Sequence, residues 1–163
     1  MDTCTTGSLA DTSLKIKAGA KNLRSLMNIF VYGSLLVPKI WNAVTRFPDL
    51  VSHPATLSGF AIFRVRNADF PCIVESPEAT EKVKGKIFLD VPDLAVKRLD
   101  AYEDNFYDRR ALIVTAAGLG ELSADAYCLS YEKAAAILSP DPWTLAWFEE
   151  TALTRFWERH FVK

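Results

Sequence analysis

Histidine is scarce in this chain: His53 and His160 are the only two among 163 residues. Cysteine is hardly more abundant. Cys4, Cys72 and Cys128 lie far apart, and no C-x-x-C pair occurs. An odd count without close spacing argues against a disulfide framework and fits a reducing compartment. Two histidines without paired cysteines leave most transition-metal sites short of ligands. A Ser-His-Asp triad would have to draw on one of these histidines, and neither stands in a suggestive context. His160, within Trp157-Glu158-Arg159-His160, reads as a residue flanking the end of a last helix. A dominant charge is also missing. Nineteen Lys and Arg stand against 20 Asp and Glu, a formal net charge of −1. No global field therefore favours nucleic acid or an anionic membrane as a partner. No apolar run approaches the roughly 20 residues that a membrane-spanning helix needs.

What is present is an ordinary globular composition, 50% hydrophobic and 24% charged, long enough to bury one sizeable core. Residues 1–27 are small, polar and mildly basic, and read as a flexible leader. Asp2, Asp11 and a single arginine, Arg24, count against a mitochondrial transit peptide without closing that route. The expected location is cytoplasmic. Strands are expected at Asn28–Tyr32, Thr56–Arg66 with Gly59 as a bulge, "PCIVES", Val83–Val91, Arg109–Ala116 and Ser123–Ser130. Val83, Gly85, Ile87, Leu89 and Val91 share one face by period-two spacing, with Phe88 an exception. Helices are expected at Pro38–Arg46, Pro92–Asp104 and Asp141–Phe161. Pro38 and Pro142 suit first helical turns, and Asp141 suits an N-cap. The aromatic residues of the last helix read as a core-packing stripe. Strands outnumber helices and do not alternate with them. The fold class is therefore α+β, with a mostly antiparallel, barrel-like sheet.

Two stretches carry chemistry. In "FVYGSLLVP" a buried strand runs into Gly33-Ser34 ahead of a helix start. Neither the G-x-S-x-G nucleophile elbow nor the phosphate loop matches here. A nest of backbone amides for a small carboxylate suits the run, and so does a plain strand-to-helix turn. In "LDAYEDNFYDRR", Ala95, Leu99, Tyr102 and Phe106 form one apolar stripe if the helix continues through Phe106. Glu103, four residues after Leu99, points to the same side. A carboxylate there is desolvated, its pKa rises, and it suits acid/base work near neutral pH. The alternatives are an ion pair with Arg109 or Arg110, or a helix that unwinds before Glu103.

Taken together, "FVYGSLL", "FPCIV", "GKIF" and "LDAYEDNFYDRR", in that order, resemble the gamma-glutamylcyclotransferase-like superfamily, especially its plant avirulence-induced-gene-type branch. The likeness covers Asn28 to Val114 well, "AYCLSY" and the tryptophan-rich last helix more loosely, and residues 1–27 not at all. It implies one domain over residues 28–163, a small β-barrel with flanking helices and a cavity at one end. It further implies that Tyr32, Gly33, Ser34, Leu35, Leu36 and Val37 hold the substrate and that Glu103 is the acid/base. The implied reaction needs no metal or cofactor. The α-amine of a γ-glutamyl compound attacks its own γ-carbonyl, releasing 5-oxoproline and an amine or amino acid. The leaving group stays open, with Arg64, Arg66, Phe70 and Tyr107 as candidate contacts. Phe70 stands where many relatives carry tyrosine, which removes a hydroxyl from that set. The rival reading is a non-catalytic, stress-response module binding a γ-glutamyl or carboxylate ligand. Oligomeric state is not legible.

Overall fold

The computed structural model describes residues 26–163. The expected leader therefore lies outside the described residues up to Ser25, while Leu26 and Met27 already belong to the first strand. In chain order the elements are β1 (Leu26–Val31), α1 (Pro38–Thr45), β2 (Ser52–Leu57), β3 (Phe60–Arg64), β4 (Pro71–Glu75), β5 (Val83–Pro92) and α2 (Asp93–Glu103). There follow β6 (Asp108–Ala116), β7 (Gly120–Cys128), α3 (Tyr131–Ala135), α4 (Leu145–Trp147) and α5 (Leu153–Phe161). A π-helical turn, Phe148–Ala152, joins α4 to α5, so residues 145–161 run as one helix.

Five strands close a barrel in the order β1-β5-β2-β6-β7. Every pairing is antiparallel except β1 with β7, the parallel seam. The strand expected over Thr56–Arg66 is two strands. Gly59 is a corner and not a bulge: it turns the chain from β2, in the barrel, into β3, which pairs only with β4. The β3–β4 hairpin is tied to the barrel where the Leu129 amide donates to the Ile73 carbonyl at 3.0 Å.

Period-two burial divides the barrel strands between two of the core clusters. Phe30, Ile87, Val114, Ala124 and Ala126 fill the barrel, whereas Ile29, Val31, Phe88 and Val91 face the helices. Phe88, the expected exception, stacks on Trp41 with ring centroids 3.6 Å apart. Val91 was expected on the face of Ile87 but lies on the face of Phe88. A bulge causes the change: Met27 pairs with Val91 while Ile29 pairs with Phe88, and Asp90 takes φ 52°. One extra residue swaps faces beyond it.

A five-stranded barrel is narrow, so one large ring inside must be matched by small residues opposite. Phe30 is the large ring. A Cβ on Gly85 would stand 2.1 Å from the Val31 carbonyl oxygen and 2.8 Å from the Phe30 ring.

Helix ends follow local chemistry. Pro38 begins α1, and Arg46 closes it in the left-handed region. Helix α2 stops at Glu103 because Asp104 turns to φ 53°, and a short 3-10 turn, Asp104–Phe106, follows. Phe106 therefore leaves the expected stripe and is partly exposed, while Ala95 and Leu99 are fully buried. The last helix begins at Leu145. Its cap is Thr144, whose side chain accepts from the Trp147 amide, and not Asp141. Trp143, Phe148 and Phe156 are buried, so the aromatic face packs as core.

Gly85→Ala is expected to lower stability by about 1–3 kcal/mol or more, the range for overpacking. Urea denaturation of both proteins measures it; an unchanged midpoint would show that the β1–β5 approach is looser than described.

Candidate active site

The loop after β1 is shaped by its own hydrogen bonds. Leu36 N–H donates to the Gly33 carbonyl at 2.9 Å, and Val37 N–H to the Ser34 carbonyl at 3.1 Å, closing a 3-10 turn. The first amides of such a turn have no partner within it. Among the described residues, the Ser34 and Leu35 amides have no hydrogen-bond acceptor outside it either. Gly33 passes so close to Pro71 that a Cβ would stand 2.9 Å from the proline ring. Loop and hairpin meet there, and only glycine permits the approach.

Tyrosines fasten the surroundings. Tyr102 and Ser34 share a hydroxyl–hydroxyl hydrogen bond of 3.0 Å. This bond ties the end of α2 to the loop. Tyr32 donates to the Tyr127 carbonyl, and Tyr107 donates to the Pro71 carbonyl at 2.6 Å. Burial pushes the hydroxyls of Tyr32, Tyr102 and Tyr107 above their ordinary range, so they stay protonated.

These groups border a cavity of about 270 Å3, and Glu103 faces it. The side chain is half-buried, and among the described residues its carboxylate has no hydrogen-bond or ion-pair partner. Arg109 pairs with Asp100 at 3.1 Å and Asp125 at 2.9 Å, and Arg110 approaches Glu75 at 3.5 Å. Neither arginine pairs with Glu103, and the helix does not unwind before it. Both alternatives to a desolvated carboxylate are thereby removed. Burial pushes Glu103 up from 4.5 to about 8. Asp100 instead accepts from Tyr127 at 2.7 Å and faces Arg109, and Asp104 is exposed.

Of the loop residues named from sequence, Tyr32, Gly33, Ser34 and Leu35 line the cavity with Glu103. Leu36 and Val37 do not: their amides close the turn, and their side chains pack into the core. Arg64 lies 3.8 Å over the Trp147 ring, and Arg66 donates to the Leu138 carbonyl, both away from the cavity. Phe70 and Tyr107 do line it. Sequence reasoning missed Phe156 and His160, which reach the cavity from the last helix, four residues apart on one face. Cys72 and Cys128 are buried free thiols, each pushed up to about 12 by burial, and so supply no thiolate. Among the described residues no group of three or more His, Cys, Asp or Glu is placed to hold a metal ion, and no helix is long and apolar enough to cross a membrane.

A narrow barrel thus carries at its edge a pocket of aromatic rings that one unpaired carboxylate and two free amides border. The chain belongs to the family described as gamma-glutamyl cyclotransferase, AIG2-like, whose pattern matches residues 29–145. AIG2-like protein C of Arabidopsis thaliana is 40% identical over 92 residues, covering 56% of this chain and 51% of that protein. The aligned part of this chain thus spans about half the length of such curated relatives. The solution structure of another Arabidopsis thaliana protein superposes with TM-score 0.59 at 28% identity, covering 82% of this chain and 87% of that one. A solved gamma-glutamyl cyclotransferase shares the fold at TM-score 0.57 and 18% identity, covering 72% of this chain and 73% of that one.

The raised Glu103 carboxyl has a consequence for stability. Between 4.5, its ordinary value, and about 8, the folded chain holds a proton that the unfolded chain has lost, so stability falls as pH rises through this window. Glu103→Gln removes the penalty. The variant is expected to exceed the parent by about 1–3 kcal/mol above pH 8, less than the full shift because the carboxyl faces an open cavity. The difference should vanish near pH 4.5. Urea midpoints across pH measure it, and parallel profiles would contradict a desolvated Glu103.

Proposed function

We propose that the protein is a gamma-glutamylcyclotransferase that folds a γ-glutamyl compound onto itself and releases 5-oxoproline. The observation that carries this reading is Glu103, a carboxylate without a counter-charge, sharing one cavity with the free amides of Ser34 and Leu35. Membership of the family supports the same reaction class.

The substrate brings its own nucleophile, an α-amine tethered to the γ-carbonyl. Holding that tether in a ring-like conformation draws on positioning, which can supply about 7–11 kcal/mol in favourable cases. The loop amides grip the α-carboxylate or face the oxyanion as the carbonyl is attacked. Glu103, as carboxylate, takes a proton from the α-ammonium. The amine nitrogen adds to the γ-carbon, and the former amide bond breaks. Glu103 then returns that proton to the departing nitrogen, and the second proton, shed by the ring nitrogen as it becomes the lactam amide, passes in turn to the freed amine, which leaves as an ammonium, so atoms and charge balance without a cofactor. A raised pKa suits both halves, since the group must accept and then release one proton near neutral pH.

Glu103→Gln should retain the fold and lower 5-oxoproline release by about 10²–10⁴-fold, the usual contribution of a general acid/base. Chromatographic detection of 5-oxoproline from a γ-glutamyl panel decides it; turnover equal to the parent's would sink the mechanism. Binding of 5-oxoproline in a thermal-shift assay without turnover on any substrate would instead favour a binding module.

The pH profile is a second test. In kcat/KM the rate should rise with pH until Glu103 is ionised, near 8, and fall once the substrate ammonium has lost its proton. A profile flat from pH 6 to 9 would contradict Glu103 as the base.

A further inference from the structure

The last helix stands apart from the rest of the site. The family pattern ends at residue 145, where that helix begins, yet Phe156 and His160 reach the cavity from it. Its position is held firmly. The Arg155 guanidinium grips the buried Asp69 carboxylate, with Nε 3.0 and 3.1 Å from the two oxygens. The Trp143 indole donates to the Asp69 carbonyl at 2.8 Å. The Lys39 ammonium lies 3.7 Å over the Trp157 ring, and Phe161 stacks on Tyr102. These contacts bind the helix to the β3–β4 hairpin, α1 and α2, the elements around the cavity. Phe156 is buried, and the His160 ring lies on it at 4.3 Å, exposed at the cavity rim.

Once the loop amides and Glu103 are assigned to the glutamyl head, the remaining wall is mostly aromatic. Phe106 meets Phe70 edge-on at 5.6 Å and Tyr107 at 4.8 Å, and Phe156 and His160 complete it. Among the described residues lining the cavity there is no lysine or arginine. The arginines nearby are engaged, Arg155 by Asp69 and Arg109 by Asp100 and Asp125. Burial and the neighbouring Arg159 lower the basicity of His160, against a weaker opposing pull from Asp69, so its ring offers a neutral donor and acceptor at neutral pH. A second carboxylate on the substrate would stand here beside Glu103 and Asp104 with no counter-charge in the lining.

Resting on the cyclotransferase reading, we propose that the last helix is the specificity wall of the site: Phe156 and His160 select γ-glutamyl compounds whose leaving amine is aromatic and carries no carboxylate. The recognition is stacking against rings, with exclusion of an anion that the wall cannot neutralise.

Two compounds isolate the point, γ-glutamylphenethylamine and γ-glutamylphenylalanine, which differ only by the carboxylate on the leaving group. The parent should favour the first by about tenfold or more in kcat/KM, a discrimination of about 1.4 kcal/mol. Titration calorimetry with Glu103→Gln, which mimics the protonated acid and does not consume ligand, should show the same preference in Kd. His160→Lys sets a cation on an exposed rim position and should narrow the preference by about tenfold, mainly through KM. Equal binding of both compounds, tighter binding of the carboxylate-bearing one, or a ratio unmoved by His160→Lys would overturn the proposal. Absence of 5-oxoproline from both compounds, with the binding preference intact, would overturn the cyclotransferase reading and leave the ligand class standing. Absence of both turnover and binding would overturn both.

Discussion

One uncompensated carboxylate organises this molecule. Glu103 stands at the end of a helix, faces a cavity walled by rings, and has no cation beside it among the described residues. Such a group destabilises the fold when ionised. It is held in place by contacts that have nothing to do with its charge: the fully buried Leu99 one turn back, the left-handed turn at Asp104, and the Tyr102–Ser34 hydrogen bond. Each arginine that could have neutralised it is drawn to another acid. Burial raises the Glu103 pKa from 4.5 to about 8, so the fold is less stable where this carboxyl is ionised.

Barrel size decides where such a cavity can exist. Phe30 and its small neighbours fill the interior, and the cavity that Glu103 faces lies beside the loop, the β3–β4 hairpin and the end of α2. The hairpin belongs to no barrel pairing, and its tip is held by backbone bonds to residues 137–139 and by Asp69. That buried acid anchors Arg155 through its side chain and Trp143 through its carbonyl. The same contact fixes the last helix against the cavity, linking a fold device to the outer wall of the site. A π-helical turn precedes this segment, and the extra residue it contains sets which side chains of α5 face inward.

Much of this was legible in the chain. Period-two alternation exposed β5, and Pro38 marked the start of α1, because both depend on near neighbours. Glu103 was legible because helical spacing alone places it beside Leu99. Other features were hidden by their dependence on distant residues. The fold in the Thr56–Arg66 strand needs the barrel to end and a second sheet to begin at Gly59. The face of Val91 depends on a bulge that only pairing with β1 reveals. Asp141 read as the cap of the last helix, whereas Thr144 takes that place and Trp143, before it, is buried. Phe156 and His160 read as core and helix end, since spacing shows which residues share a face but not what that face meets.

The sequence by itself determined which groups could do chemistry. Two histidines, scattered cysteines and balanced charge counted against metal, triad and nucleic-acid readings, and the loop and glutamate motifs pointed to one family. Those conclusions rest on residue identity and short spacing, which chain order alone specifies. Tertiary structure decided which groups work together. It left Glu103 unpaired by giving Arg109 to Asp100 and Asp125, took Leu36 and Val37 out of the cavity, and brought the last helix to its edge. The physical reason is that desolvation and charge pairing depend on distances between residues far apart in the chain, and only barrel closure and the Asp69–Arg155 anchor set those distances.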